Sequence, residues 1–122
     1  MTYLFLTYLD EKAWLALSET ERQQAMAGVD PYVKQLIAEG KFLGGAPLQP
    51  ASTANTVRGR SGKPLVTDGP FAETREHVGG YTLIEAKDLD EAVSIAAGFL
   101  GDSSLATIEV RAVAPMEGIP TH

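Results

Sequence analysis

The residues best suited to chemistry lie in one segment, residues 67–81, which is bounded by strand-like sequence on both sides. It contains two carboxylates, an imidazole and a phenol that are of interest, at Asp68, Glu73, His77 and Tyr81. Histidine exchanges protons near neutral pH, and a carboxylate desolvated in a pocket becomes a general base. We therefore predict proton-transfer chemistry on a small organic substrate, with Asp68 as the base, His77 as the proton shuttle and Tyr81 as a donor.

Asp68 also has a structural interpretation. Gly69 and Pro70 follow it and predict a sharp turn, because glycine permits almost any φ and proline fixes its own. An aspartate in a turn often accepts a bond from the N–H two residues on, but Pro70 has none. The carboxylate must therefore bond at Phe71 or elsewhere, and the sequence leaves the cap and the base as open alternatives.

Four further side chains are predicted to contact a ligand. Arg58 has a planar fork that suits an anionic group, although it would also solubilise an exposed arm. Phe71 is predicted to form a wall of a pocket or interface, and Glu73 lies close to the histidine in sequence. Arg111 shares a strand face with Glu109, so the two either pair at an interface or line a cavity.

No metal or cofactor is predicted. The acidic residues around His77 do not have the spacing of a known metal loop. The segment 59–64 is too short for a phosphate-binding Walker sequence and ends in proline, so it predicts a hairpin turn instead. His77 itself has a plain alternative, that of a solvated histidine before a strand.

Composition limits the class of protein. A chain of 122 residues with 44% hydrophobic content is the size of one domain, predicted over residues 1–122 with a tail at 115–122. The absence of cysteine is typical of a reducing compartment, so we expect a cytoplasmic protein. A net charge of −6 repels phosphate backbones and argues against nucleic-acid binding. The apolar run at residues 3–9 is too short for a membrane span.

The first half of the chain predicts a strand, a helical region and a second strand. Residues 3–9 are apolar on both alternating faces, as in a strand covered on both sides. Ser18 and Glu21 have the spacing of a capping box, and Gly40 has the position of a helix-ending glycine. Asp30-Pro31 predicts either a kink or two helices with Asp30 capping the second. An apolar stripe should face the core, formed by Ala25, Met26, Val29, Val33, Leu36 and Ile37.

The second half predicts a hairpin, a strand, a helix and a last strand. Residues 53–58 and 63–67 flank a turn at 59–62, and residues 78–86 form the next strand. Asp88 predicts the start of a helix that ends at Gly101, and residues 105–114 alternate as a strand does. The apolar stripe of this helix is predicted at Leu89, Ala92, Val93, Ala96 and Leu100.

This order of elements predicts an α+β fold of the ferredoxin-like βαββαβ type with an extra β-hairpin. Two helices can cover only one face of such a sheet. The other face would carry residues of the first strand together with Tyr81, Leu83 and Val113, which is more apolar surface than a monomer leaves in water. We therefore predict a homodimer that packs sheet to sheet and encloses pockets between the sheets.

Four segments carry a resemblance to a known family: Gly-Gly-Ala-Pro-Leu-Gln-Pro at 44–50, Thr-Asp-Gly-Pro-Phe-Ala-Glu-Thr at 67–74, Gly-Gly-Tyr at 79–81 and Ile-Glu-Val-Arg at 108–111. Through them the chain resembles the YCII-related superfamily, in the branch named for its Asp-Gly-Pro-Phe motif. The resemblance implies a ferredoxin-like subunit that dimerises as an α+β barrel. It also implies that a histidine/aspartate pair forms the active site, a role that carries over to Asp68; the first strand and first helical region of this chain contain no histidine.

Two functions from different classes remain open at this point. One is an enzyme with cofactor-free lyase or isomerase chemistry on a small, anionic organic molecule. The other is a ligand-binding or regulatory module without catalysis, since some relatives in the resembled family are found beside extracytoplasmic-function sigma factors. The sequence does not decide between them.

Overall fold

The computed structural model describes residues 1–101, 105–115 and 117. Within these ranges the chain forms six strands, four α-helices and one 3-10 turn. In chain order they are β1 (Thr2–Leu9), α1 (Glu11–Ala16), α2 (Glu19–Met26), α3 (Val29–Ala38), β2 (Phe42–Pro47), the 3-10 turn (Ala51–Thr53), β3 (Asn55–Arg60), β4 (Lys63–Asp68), β5 (His77–Glu85), α4 (Leu89–Leu100) and β6 (Ala106–Ala112).

Four of the strands form one antiparallel sheet in the order β2-β5-β1-β6. The chain passes from β1 to β2 through α1, α2 and α3, and from β5 to β6 through α4, so each crossover skips one strand. This is the double split βαβ arrangement, and the predicted ferredoxin-like α+β fold is confirmed. Strands β3 and β4 pair only with each other and form a separate hairpin.

The core lies between one face of the sheet and helices α3 and α4. Phe5 and Ile84, on the two central strands, are fully buried and are the largest such side chains in the described residues. Leu36 of α3 and Ile95 of α4 cover them from above. The ring of Phe5 meets the ring of Phe99 edge to face, with centroids 6.3 Å apart, so aromatic packing joins α4 to the sheet.

Tyr32 joins the two covering helices. Its hydroxyl donates to the carbonyl of Ile95 at 2.9 Å, and its ring stands edge-on to Phe99 at 4.9 Å. Burial raises the pKa of this phenol, and the nearby Glu39 carboxylate adds to the effect. Gly98 makes this arrangement possible, because a Cβ at that position would collide with the Tyr32 hydroxyl.

Among the described helices, α3 and α4 contribute the buried core residues, and both pack on the face of the sheet that carries Phe5 rather than on the opposite face. Phe5 points toward the helices, so its neighbours Leu4 and Leu6 point to the other side. Leu83 and Tyr81 of β5 lie directly opposite them. These side chains are only partly buried or exposed, and Tyr81 keeps 39% of its surface accessible. The sequence placed the same residues on this face, which we call the open face.

The first helical region differs in detail from the prediction. The capping box is present: Glu21 N–H donates to the Ser18 hydroxyl at 3.1 Å, and the Glu21 carboxylate accepts from the Ser18 N–H at 3.0 Å. The chain does form two helices around Asp30-Pro31, but Asp30 is not the cap. The cap position is Gly28, and Pro31 lies in the first turn of α3, where its missing N–H costs no helical bond.

A helix at Glu11–Ala16 was not predicted. Asp10 caps it by accepting from the Ala13 N–H at 3.1 Å. Six residues are too few to show a helical period, so only the aspartate at the strand end signalled the start.

The predicted apolar stripes were too wide. In the first helical region only Leu36 is buried, whereas Met26 and Ile37 are about half exposed or more. In α4 the buried residues are Ala92, Ile95 and Ala96, so the stripe is turned away from Leu89 and Val93. A helix over a small sheet presents a narrow face to it, and adjacent apolar residues are left outside.

The paired glycines of β2 coincide with a bulge and with a close backbone approach. The pairing of β2 with β5 shifts register between Phe42 and Gly44. A Cβ at Gly45 would lie 2.6 Å from the carbonyl oxygen of Tyr81, whereas a Cβ at Gly44 would have open space. Only Gly45 is therefore needed for this contact between strands.

The hairpin turn is tighter than predicted. Arg60 pairs directly with Lys63, so β3 continues past Arg58 and the loop has two residues instead of four. Ser61 and Gly62 have φ values of 50° and 80°, as in a type I′ turn. The predicted tail at 115–122 falls mostly outside the described residues.

Candidate functional site

The central strands end in an open cleft of about 690 Å³. Leu9, the last residue of β1, pairs with His77, the first residue of β5. After Leu9 the chain continues through Asp10 into α1. Glu11 closes the far wall by accepting from the N–H of Ala51 at 2.8 Å, which ties α1 to the 3-10 turn. The cleft is lined by Asp10, Glu11, Lys12, Ala13, Ala51, Ser52, Pro70, Glu73, Thr74, Arg75 and His77.

Asp10 is the most firmly held carboxylate of the cleft. One oxygen accepts from the N–H of Ala13 at 3.1 Å and the other from Nε of Arg75 at 3.1 Å. Both bonds lower the pKa of the Asp10 carboxyl below its ordinary value, and the bond from the Ala13 N–H has the larger effect. Only 17% of the Asp10 side chain is exposed, whereas Arg75 is 88% exposed. The pair therefore sits at the mouth of the cleft, with the aspartate inside.

His77 is half-buried, and its imidazole contacts the side chain of Thr74. Its Nδ1 lies 3.5 Å from the hydroxyl oxygen of Thr74, and that hydroxyl also lies 2.5 Å from the carbonyl oxygen of Glu76. A hydroxyl has one proton to donate, and the shorter contact to the carbonyl uses it. The Thr74 hydroxyl is therefore an acceptor toward His77, and the contact is a hydrogen bond in the tautomer that carries its proton on Nδ1.

The depressed pKa of Asp10 predicts a pH dependence of stability. A carboxyl whose pKa falls on folding contributes stability above its unfolded pKa, about 3.9, and loses that contribution as the pH falls through the folded value. Asp10→Asn keeps the helix cap but removes the charge. We expect it to lower the free energy of unfolding at pH 7, measured in urea, and to differ less from the unmodified protein at pH 3.

The control for this experiment is Asp30→Asn. Asp30 forms an exposed ion pair with Lys34 one helical turn away, and such pairs contribute little. A pH-independent effect of Asp10→Asn, or an equal effect of the control, would contradict the assignment.

Asp68 is the last residue of β4 in the hairpin, and it is not among the residues that line the cleft. It is exposed, and its carboxylate accepts from Nδ2 of Asn55, its partner across the hairpin, at 2.9 Å. The turn after it is held by Gly69, whose N–H donates to the Ala54 carbonyl at 2.6 Å and whose φ is +88°. The bond partner of the aspartate is thus Asn55 and not Phe71.

The other predicted residues fall into two places. Arg58 is exposed on the hairpin, where its guanidinium donates to the carbonyl of Phe71 at 3.5 Å, and the Phe71 ring is 77% exposed. Tyr81 and Arg111 lie on the open face, opposite Leu6 and Leu4 on either side of β1. Of the predicted site residues, only His77 and Glu73 line the cleft.

Sequence reasoning missed the contribution of Asp10 and Arg75. They are 65 positions apart, and their contact depends on the pairing of β1 with β5, which no local pattern shows. A polar residue directly after a buried strand was the available signal for Asp10.

The arrangement of the described residues bears on two kinds of partner, metal ions and membranes. No group of three His, Cys, Asp or Glu side chains there is arranged to hold a metal ion. None of the helices in the same ranges is long and apolar enough to cross a membrane.

The fold and cleft define a ferredoxin-like α+β protein with a polar site at the end of its central strands. The sequence model of the YCII-related domain matches residues 1–117, and the chain belongs to that family. An uncharacterized protein of Rhizobium meliloti (strain 1021) is 36% identical over 115 residues, which cover 93% of each chain.

A solved structure shows the same fold. It is that of TftG, the 5-chloro-2-hydroxyhydroquinone dehydrochlorinase from Burkholderia phenoliruptrix AC1100, in complex with 2,5-dihydroxybenzoquinone. The TM-score is 0.55 at 16% sequence identity, and the match covers 93% of this chain and 94% of TftG. At this identity the similarity establishes the fold alone.

Proposed function

We propose that the protein binds a small organic molecule in the His77 cleft and catalyses proton transfer on it, as a cofactor-free lyase or isomerase. The observation that carries the proposal is the cleft itself. It places the one internal histidine of the chain in the same concave space as Glu73 and the Asp10–Arg75 pair. A volume of about 690 Å³ suits a small-molecule ligand.

The chemistry follows from the neutral imidazole. Nε2 of His77 takes a proton from a carbon or hydroxyl of the substrate, and the electron pair of the broken bond forms a new double bond. In an elimination, a leaving group on the neighbouring carbon departs with its own bonding pair. In an isomerisation, the same proton returns at another atom. The imidazolium formed in between is stabilised by the carboxylates in the cleft.

The fold neighbour supports this class of reaction. The name of TftG describes a dehydrochlorinase, which is an elimination, and its ligand is a small dihydroxylated quinone. We propose that the ligand here is a small organic molecule of comparable size, and that a guanidinium holds any anionic group it carries. The cysteine-free composition suits work in a reducing compartment such as the cytoplasm.

A homodimer is part of the proposal. Tyr81 and Arg111 lie on the open face of the sheet, so the predicted roles of both require a second sheet that encloses them. Leu4, Leu6 and Leu83 supply the apolar area for such a contact. The hairpin residues Arg58 and Asp68, and Phe71 just after the hairpin, likewise need a second copy to join an enclosed site.

The dimer is tested by mass. Light scattering at micromolar concentration should give twice the mass of one chain, and Leu6→Glu should reduce it to one chain, because a charge in the middle of a buried apolar contact is costly. A single-chain mass for the unmodified protein would remove the dimer from the proposal.

The function is tested by turnover. Hydroxylated and chlorinated hydroquinones, together with other small enolisable acids, are incubated with the protein in deuterated water and in the presence of a chelator. Conversion of at least one compound is the expected result, with release of its leaving group in an elimination, or with deuterium at carbon in an isomerisation where the imidazolium proton exchanges with solvent before it returns. Saturable binding without any conversion or exchange would instead favour the non-catalytic ligand-binding or regulatory module.

A further inference from the structure

The β3–β4 hairpin is a two-stranded ribbon with almost no cover. Of its strand residues only Thr56 is partly buried, and all the others are exposed. Val57 and Val66 keep 65% and 58% of their surface accessible. A two-stranded ribbon is at best marginally stable by itself in water. Its exposed valines do not contribute the stabilisation that their burial would give.

Exposed apolar residues are concentrated here. Twelve large hydrophobic side chains are exposed in the described residues, and four of them lie between positions 57 and 71. Those four are Val57, Leu65, Val66 and Phe71. Scattered exposed hydrophobics need no explanation, but a cluster marks an interaction surface.

The pairing divides the ribbon into two unlike faces. Val57 pairs with Val66 and Gly59 pairs with Pro64, so the side chains of Val57, Val66 and Pro64 share one face, because cross-strand partners point to the same side. The base of this face is closed by the hydrogen bond between Asn55 and Asp68. The other face carries Thr56, Arg58, Arg60, Lys63, Leu65 and Thr67.

The edges of the ribbon are protected. Pro64 cannot donate a backbone hydrogen bond, and the cations on Arg58, Arg60 and Lys63 discourage a further strand from pairing alongside. Such devices block pairing edge to edge. They leave the apolar face as the surface through which the ribbon can bind.

Charge indicates the partner. Residues 55–68 contain three basic side chains and one acidic side chain, a net charge of +2, whereas the whole chain carries −6. The remainder therefore carries −8, obtained by subtracting +2 from −6. A basic ribbon on an acidic body is complementary to a second copy of that body, and this attraction steers the two copies together.

We propose that the Val57/Val66 face of the ribbon packs against a second copy of this chain. The contact rests on the self-association proposed above and adds to it a surface distinct from the open face. By twofold symmetry, each copy gives its ribbon and receives the ribbon of the other. Burial of the two valines provides the affinity, and the net positive charge of the ribbon increases the rate of encounter with the acidic second copy.

The test compares dimer dissociation constants by sedimentation equilibrium. The ribbon variant is Val57→Thr with Val66→Thr, which keeps side-chain shape and strand preference while adding hydroxyls. Its control is Leu65→Thr on the opposite face. We expect the ribbon variant to weaken the dimer about tenfold or more and the control to change it much less. Melting temperatures of all variants show whether the fold is retained.

A second measurement locates the contact directly. The chain has no cysteine, so Thr67→Cys gives a unique site for a nitroxide label on the ribbon. Mixed with an isotope-labelled copy that carries no nitroxide, it should broaden resonances of that second copy. Higher salt should weaken the dimer, and should do so less for Arg60→Gln with Lys63→Gln.

Three results would overturn the proposal. The first is a dissociation constant for the ribbon variant within twofold of the unmodified protein. That outcome retains the sheet-to-sheet dimer and removes the ribbon contact. The second is a lack of intermolecular broadening from the label. The third is a ribbon that binds a random oligonucleotide while the valine substitutions leave self-association unchanged.

Discussion

His77→Gln is expected to lower kcat by about a hundred- to ten-thousand-fold for any substrate that the turnover screen identifies. Glutamine keeps a polar side chain of similar reach but cannot take up a proton near neutral pH. His77 lies at the start of β5, half-buried in the cleft and away from the fully buried core. The melting temperature and the KM should therefore change little while the rate falls.

Asp68→Asn provides the matched comparison. Its carboxylate is exposed, bonds to Asn55 and lies outside the residues that line the cleft of one copy. A melting temperature that falls while kcat stays within a few-fold would establish the structural role. A loss of kcat as large as that of His77→Gln, at unchanged melting temperature, would establish Asp68 as the base in a site completed by a second copy. An unchanged kcat in His77→Gln would refute the proposed chemistry.

Phe5→Ala is expected to lower the free energy of unfolding by about 3–5 kcal/mol. Phe5 has no accessible surface, lies in the central strand and packs edge to face against Phe99. Removing the ring leaves a cavity between the sheet and α4 that a close-packed core cannot fill. Since small domains are stable by about 5–15 kcal/mol, this loss is a large fraction of the total stability. Urea denaturation followed by circular dichroism measures the difference.

Phe71→Ala is the control, because it removes the same ring from a position that is 77% exposed. We expect a change within about 0.5 kcal/mol when the measurement is made at low protein concentration, where self-association does not contribute. Equal losses for the two variants would show that the core is not where the structure places it.

The main features of the fold could be predicted because they depend on local signals. The capping box at Ser18, the cap at Asp88 and the glycine at Gly101 each satisfy backbone groups within one helical turn. Strand alternation placed Tyr81 and Leu83 on one face of their strand for the same reason. Such signals do not give the width of a buried stripe, which depends on the curvature of the sheet beneath it.

The candidate site was only partly predictable. His77 and Glu73 were identified from residue type and lie in the cleft, but Asp10 and Arg75 meet there only because distant strands pair. The hydrogen bond from Asn55 to Asp68 likewise depends on the register of the hairpin. A two-residue turn in place of four changes which residues face each other, and the sequence pattern fitted both lengths.

The position of β1 has a consequence for how this chain reaches its native state. Its neighbours in the sheet are β5 and β6, so 68 positions separate Leu9 from His77 and 109 separate Tyr3 from Ala112. During synthesis on the ribosome, this apolar strand emerges before both of its hydrogen-bonding partners. Loops this long must close before the sheet gains any energy from pairing, so folding should be slow for a domain of this size. Until β6 arrives, one edge of β1 is a target for misfolding and for chaperones.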